Sequence, residues 1–143
     1  MSLVKSILLL SEDPPPLFQF DADEILNCIM DNTTDCIAVK DIQGRYVWIN
    51  NAGATFLNRT IEEVIGKTDF DLFDLEAALK IRNSDKEVMS EISGKTHEAF
   101  LKPVSAGGRQ FKAVKRAFKN SAGEVQGIIN IVQDISSFRL QVQ

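Results

Sequence analysis

Hydrophobic and polar positions alternate most clearly between Arg109 and Ser136, where two long strands fold back on each other. In the first, Arg109 to Phe118, Phe111, Ala113 and Lys115 share one side against Lys112 and Val114. The second, Val125 to Asp134, is apolar on both sides. Ile129 and Ile131 are expected to face inward, and Ile128 and Val132 outward. A strand apolar on both faces belongs in the middle of a sheet covered on both sides. The polar stretch Lys119–Glu124, with Gly123, supplies the turn between them.

The same period-two pattern predicts a strand at Cys36–Lys40, a turn at Asp41–Gly44 and a strand at Arg45–Asn50. In that last strand Val47 and Ile49 are placed inward, Tyr46 and Trp48 outward. Thr96–Lys102 is a further strand and Ser105–Gly108 a tight turn. Elsewhere the period lengthens to that of a helix. Asp21 or Asp23 caps a helix to about Asn32, with Ile25, Leu26, Ile29 and Met30 as its stripe. A short helix covers Asn51–Asn58, and Thr60 with Glu63 forms a capping box closed by Gly66. Thr68–Phe73 is a compact turn with two buried phenylalanines, Phe70 and Phe73. Asp74 caps the longest helix, Leu75 to about Ile92, whose stripe is Ala78, Ile81, Asp85, Val88, Met89 and Ile92. Ser93–Gly94 ends it. Strands at both ends with helices between them predict an α+β domain: a five-stranded antiparallel sheet with short helices and one long helix on one face, plus an N-terminal helix. Residues 1–20 form a lead-in stiffened by Pro14–Pro16, 21–137 the domain, and 138–143 the start of a linker.

Bulk composition adds exclusions. The 143 residues are 44% hydrophobic and 25% charged, with a net charge of −4, an ordinary soluble domain. No basic run marks a nucleic-acid face. The longest apolar run, Ile7–Leu10, is far too short to span a membrane. Two cysteines, Cys28 and Cys36, make no disulfide framework and read as reduced buried thiols of a cytoplasmic protein. His97, the one histidine, reads as a surface residue, so a metal site is not expected. No phosphate-binding loop or nucleophile–base arrangement is present, and catalysis is not expected.

Several phrases in this order resemble a PAS domain. They are Asp41-Ile42-Gln43-Gly44-Arg45-Tyr46-Val47-Trp48-Ile49-Asn50-Asn51-Ala52, then Ile61–Lys67, then Gly123–Gly127, and finally Asp134-Ile135-Ser136. The resemblance covers about Ile25 to Ser136 and implies a sensory and interaction module of bacterial signalling proteins, of sensor histidine kinase or diguanylate cyclase type. Flavin-binding relatives carry a cysteine where this chain has Thr68–Phe73, and haem-binding relatives a histidine on the long helix, where this chain has none; no haem or flavin is therefore expected. The family holds ligands between the sheet and the helices. Candidate lining residues are Ile37, Val39, Val47, Ile49, Phe56, Ile65, Phe70, Asp85, Met89, Phe100, Phe111, Lys115, Ile129 and Ile131. A plain packed core built from the same residues is the competing expectation. Asn130 is expected to face outward.

Two functions follow as expectations. One is a sensor domain that binds or responds to a small organic molecule and relays the change through Asp134 and Ser136 to a C-terminal output domain. The other is a ligand-free dimerisation module. Both predict a homodimer through the N-terminal helix and the outer sheet face, whose apolar set Tyr46, Trp48, Ile128 and Val132 is too large to leave in water. Asp85 lies on the inner stripe of the long helix, and Lys115 shares a strand face with Phe111. A buried carboxylate needs a partner, so the two are expected to pair.

Overall fold

The computed structural model describes residues 20–90, 97–101 and 110–135, with 97–101 described in the backbone only. The expected lead-in, the helix stop at Ser93–Gly94, the turn at Ser105–Gly108, and Ser136 with the tail lie outside the described residues. The chain divides into two units, residues 1–32 and 33–143.

In the first unit, α1 (Ala22–Asp31) starts at Asp21, whose side chain accepts the N–H of Asp23. None of its residues is buried, and Leu26 and Ile29 of its apolar stripe are exposed. Cys28 is exposed as well, not buried as its residue type suggested, because no face of this helix is buried.

The second unit is built on an antiparallel sheet of β1 (Cys36–Asp41), β2 (Tyr46–Ile49), β3 (His97–Leu101), β4 (Phe111–Lys119) and β5 (Val125–Asp134), in the order β2-β1-β5-β4-β3. It is flanked by α2 (Asn51–Phe56), α3 (Ile61–Val64), α4 (Asp69–Leu72) and α5 (Leu75–Ser90), the α+β class that the pattern predicts. The doubly apolar β5 lies centrally, between β1 and β4.

Local chemistry sets each helix start. Asn50 accepts the Gly53 N–H at 2.8 Å, Thr60 that of Glu63 at 3.2 Å, and Asp74 that of Ala77 at 2.8 Å. Asp71 accepts from both the N–H and the hydroxyl of Thr68, and the Thr68 N–H holds its carboxyl below the ordinary range. Gly66 closes α3 at a φ of +84°, and its N–H donates to the carbonyl of Tyr46 at 2.8 Å. The Tyr46 N–H donates in turn to the carbonyl of Lys67, so this corner covers the free edge of β2.

Two features fix the sheet's phase. Between β1 and β2 the register slips, pairing Val39 with Trp48 but Lys40 with Tyr46. Val47 is the extra residue of this bulge, so Tyr46 and Ile49, three apart, both turn inward and are buried. Between β1 and β5, Gly127 comes so close that a Cβ on it would lie 2.0 Å from the carbonyl oxygen of Lys40.

Where β1 begins, Asn50 holds the chain in place. Its Oδ1 accepts the Ile37 N–H at 3.0 Å and its Nδ2 donates to the Asp35 carbonyl at 2.9 Å. The Asp35 carboxylate accepts from Gln133 Nε2, near the end of β5, at 3.0 Å.

Candidate functional site

The helix-facing side of the sheet follows from the register. Lys40 pairs with Tyr46 and Ile128, Ala38 with Asn130, Asn130 with Lys115, and Ala113 with Val132. Residues opposite each other in a ladder share a face. Phe111, Ala113, Lys115, Ile128, Asn130, Val132, Ala38, Lys40, Tyr46 and Ile49 therefore line the inner side, over which α5 packs on β4 and β5.

Four charged side chains meet on this face. Asp85, fully buried on α5, accepts from Lys115 Nζ at 2.7 Å and also forms an ion pair with Lys40. Lys40, itself 1% exposed, donates to Asp69 Oδ2 of α4 at 2.8 Å. The second oxygen of Asp69 accepts the hydroxyl of Tyr46 at 2.7 Å, and the Tyr46 ring lies 5.3 Å from the Lys40 ammonium. The cluster thus ties α4 and α5 to β1, β2 and β4 through polar contacts that cross 23 to 30 residues of chain. Burial, reinforced by the Asp69 charge, pushes the Tyr46 phenol well above its ordinary value of 10.0, so it stays a neutral donor.

The pairing of Asp85 with Lys115 is as the sequence predicts. The other members were missed. Lys40 ends a short strand next to a turn and reads as a solvent-facing residue; Asp69 reads as a turn acid; Tyr46 was placed outward. A spacing signal existed only for Tyr46, whose inward turn required the bulge at Val47 to be foreseen.

Most of the remaining lining candidates lie elsewhere. Ile37, Val39, Ile129 and Ile131 fall on the opposite face, half-buried, because Lys40 and Lys115 both reach inward and their register partners must follow. Ile128, placed outward from the sequence, is 1% exposed on the inner face. A strand apolar on both sides carries no phase of its own, so only its partners decide. Val47 is exposed at the bulge, and Ile65, Phe70 and Phe56 are exposed at the ends of short helices, though the Phe56 ring meets Phe111 edge-on at 5.2 Å. Phe73 and Met89 are half-buried. Phe100 is placed by its backbone opposite Lys112. Asn130 turns inward, not outward, and its Oδ1 is buried with no hydrogen-bond partner among the described residues. Cys36 is half-buried, its Sγ 3.5 Å from the Ala52 carbonyl.

At the far end of the same face, Arg82 of α5 donates through Nη2 to the Ile42 carbonyl at 2.9 Å, fastening α5 over the β1–β2 turn. Within that turn partial burial opposes charge on Asp41, but the N–H and guanidinium of Arg45 and the N–H of Gln43 outweigh it and hold the carboxyl below its ordinary range. Asp134, the expected signal exit, ends β5 exposed and opposite Phe111. Among the described residues no helix is long and apolar enough to cross a membrane, and no group of histidine, cysteine and acidic residues could hold a metal ion.

An antiparallel sheet roofed by short helices and one long helix defines an α+β class, and family comparison gives it its name: residues 30–140 match the PAS fold, and the chain belongs to that family. The methanogenesis regulatory histidine kinase FilI of Methanothrix harundinacea (strain 6Ac) is 33% identical over 116 residues, which cover 78% of this chain and 12% of that protein. The chain spans about 12% of the length of the curated relatives it matches. Among solved structures, the PAS domain of Bordetella pertussis BvgS superposes with a TM-score of 0.66 at 23% identity, covering 86% of this chain and 94% of that one. VqmA bound to DPO gives 0.66 at 20% identity, covering 80% and 57%.

Two outcomes are expected of the charge cluster. Lys40→Met leaves Asp69 with no cation among the described residues and should cost about 3–5 kcal/mol in urea unfolding, whereas Lys115→Met leaves both acids their contact with Lys40 and should cost distinctly less. Equal losses would mean that Lys40 does not hold the cluster together.

The second outcome concerns alkaline pH. Tyr46 is the one tyrosine and Trp48 the one tryptophan, so each reports alone. A phenol whose pKa is raised by folding contributes stability that is complete below its unfolded value of 10.0 and is lost as the pH climbs toward the folded value. In an alkaline titration, the tyrosinate absorbance should therefore appear together with the unfolding change in Trp48 fluorescence. Tyrosinate forming near pH 10 while Trp48 keeps its native emission would show a solvated phenol.

Proposed function

We propose that this chain is the sensor domain of a cytoplasmic histidine-kinase signalling protein, responding to a small molecule without haem or flavin. The observation that carries the reading is the balanced buried cluster. Lys40, Lys115, Asp69 and Asp85 join two helices to the sheet. A group that binds beside them and draws Lys40 or Asp85 away would leave an opposite charge unpaired, a change of several kcal/mol in a dry site, which is ample to move a two-state equilibrium. The segment Thr68–Phe73 contributes Asp69 to this cluster, a use other than holding a prosthetic group. Of the two output types implied by the sequence, kinase and diguanylate cyclase, the named relatives support the kinase.

β5 then carries the change outward. It is laid against β1 and β4, bears Asn130 beside the cluster, and ends at Asp134. In the full-length gene product, Asp134→Ala should leave the melting temperature of the domain unchanged and make autophosphorylation insensitive to conditions that modulate the wild type. Mutant and wild type modulated alike would remove Asp134 from the relay.

A dimerisation role has its own support in the outer sheet face. Ile37, Val39, Trp48, Ile129 and Ile131 are only half-buried there, and Val47 is 51% exposed. Two copies meeting through this face, with the apolar side of α1 as a further contact, would cover it. Sedimentation at high micromolar concentration should show a dimer, and Trp48→Glu should return it to a monomer; a wild-type monomer at that concentration rules the interface out.

A further inference from the structure

β5 runs on past its neighbour β1. The ladder between them stops where Val132 faces Cys36, yet the strand continues through Gln133 to Asp134. On the β4 side pairing goes on: Lys112 lies opposite Gln133, Phe111 lies opposite Asp134, and the Ile135 N–H donates to the Gln110 carbonyl at 2.9 Å. On the β1 side a side chain takes over. Gln133 Nε2 donates to Asp35 Oδ2 at 3.0 Å, across 98 residues of chain, and both residues are half-buried. A carboxylate acceptor makes this a strong bond, but it is a single one where a ladder would supply several.

Asp35 lies outside any strand, and side chains hold it in place. Its N–H donates to Thr33 Oγ1 at 3.1 Å, and its carbonyl accepts from Asn50 Nδ2 at 2.9 Å. The other end of the Asn50 amide, Oδ1, accepts the N–H of Gly53 in α2 and that of Ile37 in β1. A Cβ on Gly53 would stand 2.7 Å from Ile49 and 3.1 Å from Asn50 Oδ1, so α2 starts pressed onto this amide. At its last residue, α2 sets the Phe56 ring edge-on against Phe111, the ladder partner of Asp134. One six-residue helix therefore reaches both terminal residues of β5. It meets Gln133 by way of Asn50 and Asp35, and Asp134 by way of Phe111. A shift of α2 that turns the Asn50 amide also turns the Asp35 carboxylate from Gln133, and a hydrogen bond weakens steeply with angle.

Building on the sensor reading, we infer that Asp35 and Gln133 form a latch that α2 sets and that gates the relay through Asp134. Closed, it pins residues 133–135 to the start of β1. Open, those residues part from β1 while the rest of the sheet stays paired. Amide hydrogen exchange in the 143-residue chain, followed by nuclear magnetic resonance, tests this. Gln133→Leu keeps the size of the side chain and removes the donor. Exchange at Ile135 should rise at least about tenfold. Coupling between two sites is reciprocal, so exchange at Ala54, whose N–H donates to the Asn50 carbonyl, should rise with it. Exchange at Tyr46, bonded to Lys67 at the α3–β2 corner, should stay as it was. Gln133→Lys supplies a new donor, which Lys112 opposite drives toward Asp35, and should return both rates to near the wild-type values. In the full-length gene product, Gln133→Leu should change basal autophosphorylation and Gln133→Lys should restore it. No rise at Ile135 or at Ala54, an equal rise at all three amides, or no rescue by lysine overturns the inference. Fast exchange at Ile135 with unchanged autophosphorylation overturns the gating. A wild type that does not autophosphorylate strikes the sensor reading instead, while the exchange rates still decide the latch.

Discussion

The Lys40 ammonium holds two acids that come from different helices, Asp69 of α4 and Asp85 of α5. With that side chain almost wholly buried, Asp69 cannot be left without it at small cost, whereas Asp85 has Lys115 as a second cation. Once Lys40 is inward, β1 has a fixed phase, and its ladder partners on β2 and β5 inherit it. Tyr46 must then turn in to meet Asp69, which requires the extra residue at Val47. The bulge, the placement of α4 and the inward turn of Ile128 are in this sense parts of one electrostatic constraint.

Such a cluster is a poor source of stability. A well-packed apolar replacement of equal volume is often as stable or more so. Its value is geometric, because ion pairs and hydrogen bonds accept few arrangements whereas apolar contacts accept many. The small apolar nucleus around Tyr46, Ile49 and Val64 would pack in several ways; the charges select one of them. The same selectivity would make the arrangement sensitive to a molecule that competed for one member.

The elements themselves were legible in the chain, since period-two and period-3.6 patterns are local and the caps at Asn50, Thr60 and Asp74 are written in single residues. The contact between Asp85 and Lys115 was legible too, because an acid on an apolar helical stripe has to find a cation. The facing of β1 and β5 was not. Both are apolar on each side, so hydrophobicity does not distinguish inward from outward, and the deciding residue, Lys40, belongs to a type that nearly always faces water. Tyr46 and Val47 exchange faces for a related reason: strict alternation assumes an unbroken ladder, and the slip at Val47 adds one residue to it. Asn130 followed β5 inward against the usual preference of an amide for solvent.

Gln133 reaching Asp35 has a consequence for architecture. Cys36 and Val132 are ladder partners, so the first and last strands of the domain run side by side and their outer ends open at the same pole. A polypeptide passing through this fold returns to nearly the point where it entered. Such a module sits on a longer protein as a side loop, not as a link in series: it adds little to the end-to-end span, and its neighbours stay close in space whether it is present or spliced out. A rearrangement inside such a fold would reach its neighbours as a twist or a slide between two adjacent strands, with the contact between Gln133 and Asp35 spanning the pole where they meet.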